Sequence, residues 1–424
     1  MIRLFKTILL VSFTAFHAVV AQNLSDFDWT SVPLNYSNPD AGSTAIAVIK
    51  LNATTENGTE YSGPVFINPG GPGISGVGFV LEAAKVLQLY IGNQFDFIGF
   101  DPRGVTFSSP NVTVAEETST FFTQEPLDLN STLQALPYAW AGWQAFGQAA
   151  QARDNGILDF VTTGNVARDM LEMTQALGQE KLQYYGASYG TALGAAFATL
   201  FPERVGRMAL DGCVDMDGYF GSDFYASTGL LDADKAMQTF FDGCHAAGPE
   251  ACPFYASSPS EIAANVEVIY ASLRSQPVPV FTGDTFGVLT YDALRGAVFN
   301  AVTTPSQFQE LATGLAELSS GNGTTIFNML FNPTPTPDPL LTDAEATVAI
   351  LCSDADPFNA TISELQETMA SINSSFAGMF AVEHFFSGWR VHPDDRFRGP
   401  VGANTSSPLL MIGNTADPRT PLVS

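Results

Sequence analysis

The stretch Gly186-Ala187-Ser188-Tyr189-Gly190 restricts the possible folds of this 424-residue chain more than any other. The run Lys181–Tyr185 leads into it, and the small-residue run Thr191–Leu200 leads out. Between a strand and a helix, G-x-S-x-G is a nucleophile elbow, a turn tight enough to push one serine hydroxyl out of the backbone envelope. A side chain at either glycine would crowd that turn. The elbow sets Ser188 at the top of a parallel sheet, beside a helix N-terminus where negative charge is favoured. Ser188 is therefore the candidate nucleophile. A plain strand-to-helix turn holding a small residue is the alternative.

The surrounding rhythm agrees with a parallel sheet. Thr44–Leu51, Pro64–Ile67, Phe95–Phe100, Lys181–Tyr185 and Val205–Leu210 read as strands. Val77–Leu89, Leu136–Val161, Asn165–Leu177 and Thr191–Leu200 read as helices. Val166, Met170, Met173 and Leu177 fall near helical spacing, so those methionines belong to a core. Strands alternating with helices give crossover connections and an α/β fold. Asn52–Ser62 reads as a hairpin loop and Thr106–Asn130 as a polar loop.

After Pro64–Ile67 comes Asn68-Pro69-Gly70-Gly71-Pro72-Gly73-Ile74-Ser75-Gly76. Its spacing matches neither glycine-rich phosphate motif, G-x-x-x-x-G-K-[ST] or G-x-G-x-x-G. Its place after a central strand suits a backbone N–H aimed at an oxyanion, because glycines let the backbone approach a carbonyl closely. Gly71 is the candidate donor, with the Tyr189 N–H as the second. One such donor is worth roughly 3–4 kcal/mol in the transition state. Asp101 and Arg103 are expected to form an ion pair that holds the loop Asp101–Val105.

Charge narrows the partners. The chain carries 17 Lys and Arg against 43 Asp and Glu, a net −26. That argues against nucleic acid or an anionic membrane, and would attract cationic substrates such as peptides with a free amino terminus; it serves solubility equally well. Arg3 and Lys6, the apolar run Ile8–Phe16 and Val19-Val20-Ala21 make residues 1–21 a signal peptide, with an h-region too short to span a bilayer. The mature chain is expected to be secreted, with no membrane association. Sequons at Asn23, Asn35, Asn52, Asn57, Asn111, Asn130, Asn322, Asn359, Asn373 and Asn404 fit an exported glycoprotein with those residues in surface loops. The four cysteines fit an oxidising compartment. Cys244 and Cys252 flank a Gly-Pro turn and are paired, a short loop worth roughly 2–3 kcal/mol. Elimination pairs Cys213 with Cys352. No metal or cofactor motif appears.

Gly70-Gly71-Pro72-Gly73, Phe100-Asp101-Pro102-Arg103-Gly104 and Gly186-Ala187-Ser188-Tyr189-Gly190-Thr191, in this order, resemble the prolyl aminopeptidase and tripeptidyl aminopeptidase family of α/β-hydrolases. The likeness covers Thr44 to about Asp215 and returns near the C-terminus. Prolyl aminopeptidases usually open the glycine motif with His; Pro69 stands there, which looks more like the secreted tripeptidyl branch. The resemblance implies a core over residues 22–216, a mainly helical cap over 217–401 and a return to the core over 402–424. It implies an acidic group for the substrate amine, for which Asp354 and Asp356 are candidates, although solvated loop carboxylates explain them as well. It makes Asp417, after the strand Pro408–Ile412, the acid that orients a catalytic histidine, with an Asx-type turn as the alternative.

In this fold the triad runs Ser, Asp, His. Ser424 lies seven residues past Asp417, and no histidine follows. His17 and His245 are misplaced for the role, and His384 and His392 are the only conceivable substitutes. The resemblance thus implies that the histidine, a last strand and a last helix lie beyond Ser424, and that the 424 residues alone are inactive. The function expected is a secreted serine aminopeptidase acting on free N-termini. A secreted carboxylesterase or lipase, or a catalytically dead fragment or pseudoenzyme, are the alternatives.

Overall fold

The computed structural model describes residues 24–55, 59–115, 118–221, 228–283, 286–331, 341–379 and 386–422. The signal segment, Asn23, Asn57, His384 and the Pro-rich stretch Asn332–Pro339 lie outside them. In chain order come β1 (Leu24–Pro33), β2 (Ser43–Leu51), β3 (Pro64–Asn68), α1 (Gly76–Tyr90), β4 (Asp96–Phe100), α2 (Ser119–Gln124), α3 (Ala135–Arg153), α4 (Thr163–Ala176), β5 (Leu182–Ala187), α5 (Tyr189–Leu200) and β6 (Val205–Asp211). A predominantly helical region follows: α6 (Met216–Gly221), α7 (Ala233–Ala247), α8 (Pro259–Ser275), β7 (Val278–Phe281), β8 (Phe286–Leu289), α9 (Tyr291–Thr303), α10 (Phe308–Ser319), α11 (Thr324–Phe331), α12 (Ala344–Asp354) and α13 (Ile362–Ser371). β9 (Leu409–Ile412) returns to the sheet.

Seven strands form one sheet in the order β1-β2-β4-β3-β5-β6-β9. β1 pairs with β2 and β2 with β4 antiparallel, whereas β3, β4, β5, β6 and β9 run parallel. The central strands β3 and β4 are buried along their whole length, as expected where helices cover both faces. β9 is the outer strand, and its Leu410 and Met411 are 58% and 64% exposed. Among the described residues, no helix is long and apolar enough to cross a membrane.

Several local expectations need correction. Residues 52–62 are not a hairpin loop, because β2 pairs with β1 and β4 while β3 pairs with β4 and β5. The long helix expected over Leu136–Val161 ends at Arg153, where Asp154-Asn155-Gly156 breaks it and Gly156 takes a positive φ. α2 interrupts the expected polar loop. The helical region also contains the β7–β8 hairpin.

Arg103 does not pair with Asp101. Its fully buried guanidinium reaches Asp169 on α4, with Nε donating to Oδ2 at 2.8 Å, and donates to the Leu34 and Pro33 carbonyls. Tyr36 donates to the same carboxylate. Asp101 instead serves the start of α1, accepting from the Ser75 hydroxyl at 2.7 Å and the Val77 N–H at 3.1 Å. Cys244 and Cys252 are bonded as expected. Cys213 and Cys352 are both free thiols, so the pairing by elimination fails. Of the sequon asparagines, Asn130, Asn322, Asn359, Asn373 and Asn404 are exposed. Asn35, Asn52 and Asn111 are half-buried, and the Asn111 amide is held by the Thr106 carbonyl at 2.7 Å.

Candidate active site

Parallel strands that end level with one another make a shelf. Asn68 of β3 lies opposite Gly186 of β5, Ala187 opposite Asp211 of β6, and Asp211 opposite Ile412 of β9. The loops leaving these strands therefore emerge along one edge, the place where open α/β sheets present their sites.

Ser188 sits there as the residue before α5, with φ 54° and ψ −123°. A non-glycine residue in such a conformation costs about 1–3 kcal/mol, which the surroundings must offset. They do so through three hydrogen bonds. The Ser188 N–H donates to the Asp211 carbonyl at 2.9 Å, and the Ser188 carbonyl accepts from the Thr191 N–H at 2.8 Å and the Thr191 hydroxyl at 2.6 Å. Gly186 and Gly190 are required by contact: a Cβ on Gly186 would lie 2.4 Å from the Gly190 carbonyl oxygen, and one on Gly190 would lie 2.7 Å from the Asn68 carbonyl oxygen.

The glycine loop abuts the elbow. A Cβ on Gly70 would lie 2.6 Å from the Ala187 carbonyl oxygen, 2.9 Å from Ser188 Cβ and 3.3 Å from the Tyr189 nitrogen. Gly71 is next in the chain, and a Cβ there would meet the Gly73 and Ile74 nitrogens, each at 2.9 Å. Asn68 Oδ1 accepts from the Gly70 N–H at 3.0 Å and fixes the turn.

Asp417 follows β9 on the same edge. Its Oδ1 accepts from the Arg419 and Thr420 N–H groups, each at 2.9 Å, and its Oδ2 accepts from the Thr420 hydroxyl at 3.1 Å. This is an Asx turn in form, and it holds the carboxylate in place. Thr420 reaches back to the elbow: a Cβ on Gly212 would meet Thr420 Oγ1 at 3.0 Å and the Ser188 nitrogen at 3.9 Å. A cavity of about 480 Å³ opens beside this turn, lined by Cys213, Asp215, Thr228, Met411, Thr420 and Leu422 among others.

The other named residues lie elsewhere or in another role. His245 Nδ1 faces the Ala256 carbonyl at 3.1 Å and its ring stacks on Tyr255. His392 is half-buried; burial and the nearby Arg396 charge hold its pKa below the usual value. Neither is hydrogen-bonded to Asp417. Asp356 is exposed and paired with Arg396. Asp354 is not a solvated loop carboxylate: it closes α12 and is 0% exposed. Its Oδ1 accepts from the Thr163 N–H at 2.8 Å, and its Oδ2 accepts from the Thr163 hydroxyl at 2.6 Å and the Tyr219 hydroxyl at 3.1 Å. Burial raises its pKa to about 7, against the opposing pull of those hydrogen bonds. Both of its oxygens are thus engaged by donors inside the protein. Thr163, Tyr219 and Thr420 carry no local sequence signal; only the tertiary structure brings them to these carboxylates.

Residues 63–249 match the family described as alpha/beta hydrolase fold. The chain is 30% identical over 410 residues to serine protease Hip1 of Mycobacterium tuberculosis, covering 92% of this chain and 76% of that protein. The chain belongs to the α/β-hydrolases. This hydrolase is related within them to Hip1 and to a tripeptidyl aminopeptidase of Streptomyces lividans, to which it is 34% identical over 196 residues, 44% of this chain and 35% of that one. A crystal structure of proline iminopeptidase from Mycobacterium smegmatis is similar with a TM-score of 0.31 and 14% identity, covering 82% of this chain and 88% of that one. The relationship to Hip1 and to the tripeptidyl aminopeptidase makes this a serine hydrolase.

Proposed function

We propose that this hydrolase is a secreted serine aminopeptidase that releases short peptides or single residues from free N-termini. Ser188 Oγ attacks the scissile carbonyl carbon while its proton passes to a histidine base. The carbonyl π electrons move to oxygen, and the oxyanion is received by the Gly71 and Tyr189 N–H groups. Collapse of the tetrahedral intermediate expels the amine, which takes the proton from the histidine, and water then repeats the sequence to free the acyl group. Asp417 orients the base. The observation that carries the reading is the convergence of the Ser188 elbow, the glycine loop and the Asp417 turn on one sheet edge.

The relationship to Hip1 and to the tripeptidyl aminopeptidase supports a peptide substrate. The net charge of −26 favours a cationic amino terminus. The disulfide and the exposed sequons support export. The test is hydrolysis of tripeptidyl p-nitroanilides with free and acetylated N-termini, and of p-nitrophenyl esters, by the full-length protein and its Ser188→Ala variant. Loss of at least about a thousandfold in kcat on Ser188→Ala, with preference for free N-termini, is expected. Retained peptidase activity in that variant would overturn the assignment, and activity on esters alone would make the protein an esterase.

A further inference from the structure

We infer that helix α12 is a brace that holds both oxyanion donors, with Thr347 and Asp354 as positioning residues at its two ends. The inference rests on the assignment of Gly71 and Tyr189 as donors, and goes beyond it by naming what fixes them. α12 lies more than 150 residues after the elbow in sequence, yet touches both halves of the donor pair.

Its first turn clamps the glycine loop. The Asp343 N–H donates to the Gly73 carbonyl at 2.8 Å. The Thr347 hydroxyl lies 2.6 Å from the Pro72 carbonyl oxygen and 2.8 Å from that of Asp343, so one proton is shared between loop and helix. The approach leaves no room: a Cβ on Gly73 would lie 2.3 Å from Thr347 Oγ1. Gly71 is therefore followed by two residues whose carbonyls are both tied to α12. Its last residue secures the other half. Asp354 accepts from the Thr163 hydroxyl, so the Thr163 oxygen is left to accept from Tyr189, whose hydroxyl lies 2.7 Å away. The relay runs from Tyr189 to Thr163 to Asp354, with the Tyr219 hydroxyl as a further donor to the carboxylate. The Arg396 guanidinium donates to the Asp354 carbonyl at 3.2 Å and pins the helix end. Every member of the relay is buried. Eleven residues of helix span about 16 Å, enough to reach both donors as one rigid strut. Oxyanion stabilisation depends on donors that need no reorganisation as charge develops, so a strut common to both has a direct catalytic consequence.

The experiment uses the full-length protein with a tripeptidyl p-nitroanilide and a peptidyl boronic acid, which takes the tetrahedral geometry on the serine. Thr347→Val and Thr163→Val each remove a hydroxyl at nearly constant volume. Each is expected to lower kcat about tenfold with KM within about twofold, and to weaken boronate binding by the same factor, while Thr347→Ser and Thr163→Ser restore both. If the valine variants keep kcat and boronate affinity while Ser188→Ala is inactive, the brace is wrong and the serine assignment survives. If Ser188→Ala is active, the donor assignment itself falls. Should a valine variant fail to fold, hydrogen exchange on the unaltered protein decides. The Asp343 and Thr163 amides, whose bonds form the two ends of the brace, are expected to be among the slowly exchanging ones, and rapid exchange of both would refute it.

Discussion

Asp354→Asn isolates the cost of keeping a carboxylate inside this protein. The side chain is fully buried, and burial outweighs the hydrogen bonds from Thr163 and Tyr219 and the Arg396 charge, so its pKa rises from the usual 3.8 to about 7. At about 1.4 kcal/mol per pH unit, that gap comes to about 4 kcal/mol. The sign follows from proton counts. Between pH 4 and 7 the folded protein holds a proton on Asp354 that the unfolded chain has released, so this residue's contribution is fully present below pH 3.8 and is lost as pH rises through 7. Asparagine has the same shape and no charge to desolvate. Its variant should match the unaltered protein near pH 4 and exceed it by up to about 4 kcal/mol near pH 8. Urea unfolding of both proteins at pH 4.5, 6 and 8 measures this as a stability difference that grows with pH. A constant difference would mean that the hydrogen bonds to the ionised form balance its desolvation, and one that shrinks as pH rises that they outweigh it; either would refute the reasoning.

The Arg103–Asp169 pair is buried on both sides, so Asp169→Asn or Arg103→Met should each cost about 3–5 kcal/mol in thermal or urea unfolding, and the double replacement less than their sum. Alkylation of the denatured, unreduced protein should label two cysteines by mass, Cys213 and Cys352, and two more after reduction of Cys244–Cys252. No label before reduction would mean that the free pair closes after all.

What the sequence disclosed about this molecule was whatever a few adjacent residues decide together. The elbow was legible because Gly186 and Gly190 are dictated by contacts within their own turn, and because a serine at positive φ needs neighbours of that size. The central strands were legible because burial on both faces leaves unbroken apolar runs. Partners chosen across the fold were not. Arg103 passes over Asp101, two residues away, for Asp169, 66 residues on, because Asp101 is already occupied at the start of α1. Asp354 sits beside Asp356 in a polar-looking stretch, yet the helix end turns one inward to Thr163 and leaves the other to solvent and Arg396. That Asp417 follows a strand could be read from the sequence, while Thr420, which holds it, looked like any loop threonine.

The hydrogen bond between Thr347 and Pro72 joins residues 275 positions apart. At a synthesis rate of about 5–20 residues per second, Pro72 leaves the ribosome about 14 to 55 seconds before its partner. Closing so long a loop also slows the search for that contact. Strands β1 to β6, the elbow and the glycine loop are all made before the helix that steadies them, and only β9 of the sheet follows it. If Ser188, Gly71 and Tyr189 act as proposed, a nascent chain carries its nucleophile early and acquires a settled oxyanion site late, an order that restrains hydrolysis while the protein is still being made.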